Sequence, residues 1–240
     1  MQSEARESEA GTMNGPRPAT EASPLRPLVL YGAGSQAIVL AEFLPLQGFS
    51  IEAVLNDWPT ERIPLPGIPV VCGAEAIEAW LRARTDACHF AVAIGNHYGR
   101  ERLARHRRLL ERGLKPVTAV HHRAYVARNA CLGSGCQILC GAIIGAAARL
   151  GDQVILNTGA QADHECVLGD GVHLGPGAKL AGRVTVGPHA FVGTGAVVLP
   201  DLRIGADAII GAGAVVTRNV PDGAVVVGAP ARPISTQAAG

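Results

Sequence analysis

From Val126 onward an aliphatic residue returns every six positions: Leu132, Ile138, Ile144, Leu150, Leu156, Ala162, Leu168, Leu174, Leu180, Val186, Val192, Val198, Ile204, Ile210 and Val216. Only Ala162 departs from Val, Ile or Leu. Four residues after each stands a small or mid-sized apolar residue, as in Ala130, Cys136, Ala142, Ala148, Val154 and Ala160, and on to Ala214 and Val220. An α-helix turns every 3.6 residues and cannot hold a six-residue stripe on one face. Short strands joined by tight corners can. Glycine often follows the aliphatic residue, as at Gly133, Gly145, Gly151 and Gly169, which suggests glycine-permitted corners. The pattern predicts a parallel β-helix running to about Pro221.

Upstream the periodicity changes. Pro27 to Tyr31 reads as a short apolar strand that runs into Gly32-Ala33-Gly34-Ser35 and then an apolar helix over residues 38–46. Ile51 to Leu55 and His89 to Ile94 read as further strands, a basic helical stretch follows over residues 100–112, and Pro116 to Val120 reads as a last strand. Strands alternating with helices indicate a small Rossmann-like α/β unit with a parallel sheet. Residues 1–26 are rich in Ser, Glu, Ala, Pro and Thr and read as a disordered leader, within which Met13 is an alternative start. The expected organisation is therefore a leader over 1–26, a Rossmann-like domain over 27–120, a β-helix over 121–234 and a fraying tail over 235–240.

Composition narrows the function classes. A formal net charge of +1 gives no electrostatic case for nucleic acid or an anionic membrane, and no apolar run reaches the roughly 18 residues that span a bilayer. The six cysteines form no CxxC pair, and Cys136 and Cys166 occupy the small slot of the repeat, so they read as packed thiols. A cytoplasmic location follows as the default.

Two places carry candidate chemistry. The Gly32-Ala33-Gly34 turn, after a strand and before a helix, offers backbone amides to a phosphate, although it lacks the third glycine of a dinucleotide fingerprint. A tight turn without a ligand is the plain alternative. Asn56 and Asp57, at the end of the second strand, are placed to reach a ribose or base. The second place is Asp163-His164-Glu165, a polar cluster beside the one weak position of the aliphatic register. Such a cluster is costly unless it is at the surface or partnered. Glu165 can hydrogen-bond the imidazole of His164 and fix its tautomer. The rival is a zinc site of His164, His173 and His189, as in trimeric β-helix carbonic anhydrases. The nine- and sixteen-residue spacings do not match that arrangement, and no metal is expected.

The tandem hexapeptides, the segment Asn157-Thr158-Gly159 through His164-Glu165-Cys166, and the close Val227-Gly228-Ala229-Pro230-Ala231-Arg232 resemble the hexapeptide-repeat acyltransferases. Tyr31-Gly32-Ala33-Gly34, Leu55-Asn56-Asp57 and Ala93-Ile94-Gly95-Asn96 narrow the resemblance to the sugar acetyltransferase branch. That branch holds the UDP-4-amino-sugar (bacillosamine-type) N-acetyltransferases, the perosamine N-acetyltransferases and the sialic acid O-acetyltransferases. The resemblance covers residues 27–234 and implies a left-handed coil. It also implies a homotrimer with acetyl-CoA in the groove between neighbouring β-helices, and a nucleotide-linked amino-sugar held by the α/β domain.

By position the resemblance makes His164 the general base and Glu165 its orienting partner. It places His173, Gly182, Thr194 and Ala212 along the acetyl-CoA and acceptor groove, and Gly34, Ser35, Gln36, Asn56 and Asp57 at the nucleotide. Relatives usually carry Gly-His where this chain has Ser35-Gln36, and an Asp pair where it has Asn56-Asp57. Arg232 reads either as a partner for a CoA phosphate or as surface charge. The expected activity is N-acetyl transfer to a nucleotide-linked 4-amino-4,6-dideoxy sugar by direct attack. A sugar O-acetyltransferase, an acyltransferase on another small amine, or a non-catalytic β-helix scaffold are the alternatives.

Overall fold

The computed structural model describes residues 24–61, 64–84 and 87–236 of the 240. The leader expected over 1–26 lies almost wholly outside the described residues. Five strands, β1 (Arg26–Tyr31), β2 (Phe49–Asn56), β3 (Val70–Cys72), β4 (His89–Val92) and β5 (Lys115–Pro116), form an all-parallel sheet in the order β3-β2-β1-β4-β5. β1 is apolar throughout its second half because both of its faces are covered. Leu28 and Leu30 pack with Ala37 and Leu40 of α1 (Ser35–Phe43). Val29 and Tyr31 pack with Ile77 and Leu81 of α2 (Ala74–Arg82) and Leu109 of α3 (Gly99–Glu111). This is the expected doubly wound unit. Its strand order reverses between β1 and β4, which opens a crevice at their carboxyl ends.

From β6 (Ala119–Val120) to β22 (Val215–Val216) the chain advances in two-residue parallel strands paired 18 residues apart, as in Ile143↔Gln161↔Lys179, until the last turn, where the step shortens to 16, as in Ile209↔Val225. Three sheets stack around one apolar column, in which Ile138, Ile144, Leu156, Ala162, Leu174, Val192 and Ile210 are fully buried with the small residues of the second register. The run 116–120, expected as one strand, is divided. Lys115–Pro116 closes the α/β sheet, whereas Ala119–Val120 pairs with Gln137–Ile138 as the first rung of the coil. At the other end, Arg232–Thr236 pairs antiparallel with Ala224–Val227, so Ser235 and Thr236 belong to a strand where a fraying tail was expected. No helix among the described residues is long and apolar enough to cross a membrane.

The corners differ from expectation. The left-handed backbone falls three residues after the aliphatic position, and half of those sites carry side chains: Ala147, Gln153, Glu165, Arg183, His189, Asp201 and Asp207, with φ of 55–62°. The glycines directly after the aliphatic residues answer another constraint, the close approach of the next rung. A Cβ on Gly145 would stand 2.6 Å from the carbonyl carbon of Asp163 and the amide nitrogen of His164.

The two domains are joined by Arg102 of α3, which is 0% exposed. Its Nε donates to the carbonyl of Gln153 (2.9 Å), Nη1 to Ile94 (3.0 Å) and Nη2 to Gly171 (2.6 Å). Gly99 lets the helix start against the coil, since a Cβ there would meet the Gly171 carbonyl oxygen at 2.4 Å. Arg102→Met keeps the volume and removes the donors. It is expected to lower unfolding free energy by about 3–5 kcal/mol, because three carbonyls, two of them in buried hydrogen bonds, lose a charged partner. Urea denaturation measures this, and a loss below about 1 kcal/mol would assign the docking to apolar contact alone.

Candidate active site

At the carboxyl ends of β1, β2 and β4 lies a cavity of about 540 Å³. Residues 32–36 and Asn56 form one wall, residues 93–96 and Tyr98 the other, and Asn157 and His173 of the coil close it. Gly32 adopts φ 117°, and a Cβ there would be 2.6 Å from the Ala93 carbonyl oxygen, so the turn demands glycine. Gly34 has open space where a side chain would be and stands at the N-terminus of α1, with no side-chain cap on the helix. Uncapped first-turn amides facing a cavity are suited to a phosphate.

Asn56 braces the turn: its Oδ1 accepts from the Ala33 amide (3.1 Å) and its Nδ2 donates to the Trp58 carbonyl (2.6 Å). Gln36 reaches across the domain boundary, donating to Gln137 Oε1 at 2.7 Å, and Gln137 in turn donates to the Val92 carbonyl at 2.7 Å. Asp57 is not among the lining residues. Its carboxylate accepts from Tyr31 (2.5 Å) and from Arg105 Nε (2.8 Å), and Arg108 lies 3.9 Å away. The Tyr31 hydroxyl is accordingly held well above its ordinary pKa by burial and by this carboxylate. Asp57 therefore ties β2 to α3, and Asn56 is the residue of the pair that faces the cavity.

His173 is 2% exposed. Its Nδ1 lies 3.1 Å from the Asn96 carbonyl oxygen, which can only accept, so Nδ1 carries the proton; Nε2, 3.2 Å from Asn157 Nδ2, accepts. Burial and the charge of Arg102 push its pKa down to about 3, so it stays neutral in the working range. Of the residues expected along the groove, His173 thus lines the cavity at the switch point. Thr194 and Ala212 are exposed on the same edge of the coil, each with its amide packed over a glycine of the rung before, Gly175 and Gly193.

His164 lies on the next edge, after the rung Gln161–Ala162. Glu165 takes the left-handed corner (φ 58°), and its Oε2 sits 3.0 Å from His164 Nδ1. The corner is held by Asp163, whose Oδ1 accepts from the His164 amide at 2.6 Å. The ring lies on Gly182 of the next rung, where a Cβ would be 2.3 Å from Nε2. With Nδ1 committed to Glu165, Nε2 is the nitrogen free to exchange a proton. The side chain is 44% exposed, so that proton is accessible. Cys166 next to it is buried, donates to the Ala181 carbonyl, and has its thiol pKa raised by burial, the opposite of an activated nucleophile.

Sequence reasoning missed Asn157, Tyr98 and Gln137. A signal existed for Asn157, which stands where the later rungs carry Gly175, Gly193 and Gly211.

The buried neutral His173 has a stability consequence. Its pKa is lower folded than unfolded, so the unfolded chain binds more protons below pH 6.5 and stability falls as pH falls through that range. Between pH 6.5 and 5 this one group removes about 2 kcal/mol. His173→Asn should flatten the dependence of urea midpoint on pH in that window. An unchanged slope would mean that His173 titrates normally.

Two family descriptions match the chain: "PglD N-terminal domain" over residues 27–106, and "Bacterial transferase hexapeptide (six repeats)" over residues 165–199 and 183–218. No curated protein sequence matches it. Among solved structures, a histidine-to-asparagine variant of perosamine N-acetyltransferase from Caulobacter crescentus, in complex with CoA and GDP-perosamine, is 38% identical with a TM-score of 0.80, covering 90% of this chain and 100% of its own. The acetyltransferase domain of PglB from Neisseria gonorrhoeae, in complex with acetyl coenzyme A, is 31% identical with a TM-score of 0.78, covering 88% and 100%. WeeI from Acinetobacter baumannii is 30% identical with a TM-score of 0.72, covering 86% and 99%. With both domains matched over their length, this chain belongs to the hexapeptide-repeat sugar acetyltransferase family, in the branch that includes perosamine N-acetyltransferase and the acetyltransferase domain of PglB.

Proposed function

We propose that the protein transfers the acetyl group of acetyl-CoA to the amine of a nucleotide-linked 4-amino-4,6-dideoxy sugar, as a homotrimer, with His164 as general base. The observation that carries the reading is the pairing of His164 Nδ1 with Glu165, which leaves Nε2 as an exposed acceptor on a rigid corner. The CoA and GDP-perosamine complexes of the Caulobacter relative support the donor and the acceptor class.

The chemistry needs few groups. The sugar ammonium loses a proton, and the free amine attacks the thioester carbonyl. Nε2 of His164 takes one of the two amine protons as the C–N bond forms, the other staying on the amide nitrogen, and Glu165 steadies the imidazolium through Nδ1. The tetrahedral oxyanion collapses, breaking the C–S bond, and the departing CoA thiolate takes a proton from the imidazolium. Such acid–base work contributes about 10²–10⁴-fold. No acyl-enzyme is required. Gly34, Ser35, Gln36 and Asn56 hold the nucleotide, and Gly182, Thr194 and Ala212 line the path of acetyl-CoA.

Thiol release from acetyl-CoA tests the reading against GDP-perosamine, UDP- and dTDP-4-amino-4,6-dideoxy sugars and free sialic acid. Release with one amino-sugar is expected, and release with sialic acid alone would move the acceptor to a hydroxyl. His164→Ala should lower kcat by about 10²–10⁴-fold with the melting temperature retained, and a wild-type rate would remove the base assignment. Gly182→Ala, which drives a methyl into the imidazole, should lower kcat by roughly 10²-fold with little change in KM for the nucleotide-sugar.

A further inference from the structure

The end of β2 presents one feature that the mechanism leaves unused. Trp58 is 78% exposed, the most exposed large apolar side chain among the described residues. Its backbone carbonyl accepts from Asn56 of the cavity wall at 2.6 Å, which sets Trp58 beside the cavity and outside its lining. Asp57 between them is fastened to Tyr31 and Arg105, which pins the backbone on the approach to the indole. Among the described residues no ring or cation packs on this indole. The other tryptophan, Trp80, is half-buried against the core and carries Arg84 over its ring at 4.7 Å.

In a doubly wound sheet a ligand whose phosphates sit at the first turn extends its nucleoside beyond the end of the second strand. Much of the polar capacity there is already in use. Asn56 uses its oxygen on Ala33 and its nitrogen on Trp58, and the Asp57 carboxylate is spent on Tyr31 and Arg105. A carboxylate so engaged has little capacity left for a ribose. The unengaged surface at this point is the indole face, and every nucleobase has a face that stacks on it.

We infer that Trp58 is the stacking platform for the base of the nucleotide-linked acceptor, and that the base is a purine. The inference rests on the nucleotide-sugar reading above. The fused rings of indole overlap both rings of a purine and leave half their area unused under a pyrimidine. Recognition by a face rather than by hydrogen bonds makes Trp58 a determinant of binding, remote from the reacting amine.

The test uses GDP and UDP as probes. In a Trp80→Phe chain, where Trp58 is the sole tryptophan, GDP should quench the fluorescence saturably and bind several-fold more tightly than UDP. Calorimetry on the otherwise native chain avoids dependence on that variant. Trp58→Ala should weaken GDP roughly tenfold and raise KM for the nucleotide-sugar by the same factor, leaving kcat and the KM for acetyl-CoA unchanged. Equal GDP affinity in the wild type and Trp58→Ala would overturn the platform and leave the nucleotide reading standing. UDP bound as tightly as GDP would overturn the purine assignment. Fluorescence that follows protein concentration and ignores nucleotide would make the indole a contact between copies of the chain. Binding of neither nucleotide to the wild type would remove the nucleotide reading and this inference together.

Discussion

A buried guanidinium without a carboxylate holds this molecule in one piece. Arg102 keeps its charge at neutrality, although burial lowers its pKa to about 10, and it spends that charge on three carbonyls. Two of them, Gln153 and Gly171, belong to successive rungs of the coil, and the third, Ile94, follows β4. The loop after β4 is thereby clamped twice, by Arg102 at Ile94 and by His173 at Asn96. The cavity wall made by that loop can face Asn157 only while both clamps hold. Desolvating a guanidinium is expensive, and the cost is tolerable because charged donors make stronger hydrogen bonds than neutral ones.

How much of this could be read from the chain follows from the distance over which each constraint acts. The six-residue register was plain because every rung repeats the same inward demand within a few residues. The α/β unit was plain because β1 is buried on both faces and its apolar run shows it. Residues 116–120 were misread as one strand since Lys115–Pro116 and Ala119–Val120 belong to different sheets, and no local signal marks the break. The domain interface was invisible for the same reason. Arg102 meets Gly171 across 69 residues and Gln36 meets Gln137 across 101, so neither leaves a periodicity.

His164 was legible because a polar cluster interrupts an apolar pattern. Its exact pose was not. The corner is packed from below by Gly145, against the backbone of Asp163 and His164, and from above by Gly182, against the ring. Glu165 accepts a left-handed backbone that costs a side-chain-bearing residue about 1 kcal/mol, and in return its carboxylate meets Nδ1. Sequence could name the pair, but only the 18-residue stacking of rungs shows why the imidazole has one place to lie.

The cavity and His164 stand on two edges of the coil that bound a single sheet, the one carrying Tyr125, Ile143, Gln161, Lys179, Val197 and Val215 on its outer face. Tyr125 and Ile143 are 61% and 38% exposed there, an apolar opening at one end of a face with Lys179 further along it. A nucleotide held at Gly34 and a base at His164, as proposed, would be separated by the width of that face within one chain. In the proposed homotrimer a neighbour laid against this face would bring the cavity edge of one copy towards the His164 edge of another. Anchoring and proton transfer would then be supplied by different chains, and each chain's rigid corner would serve an acceptor that it does not itself hold.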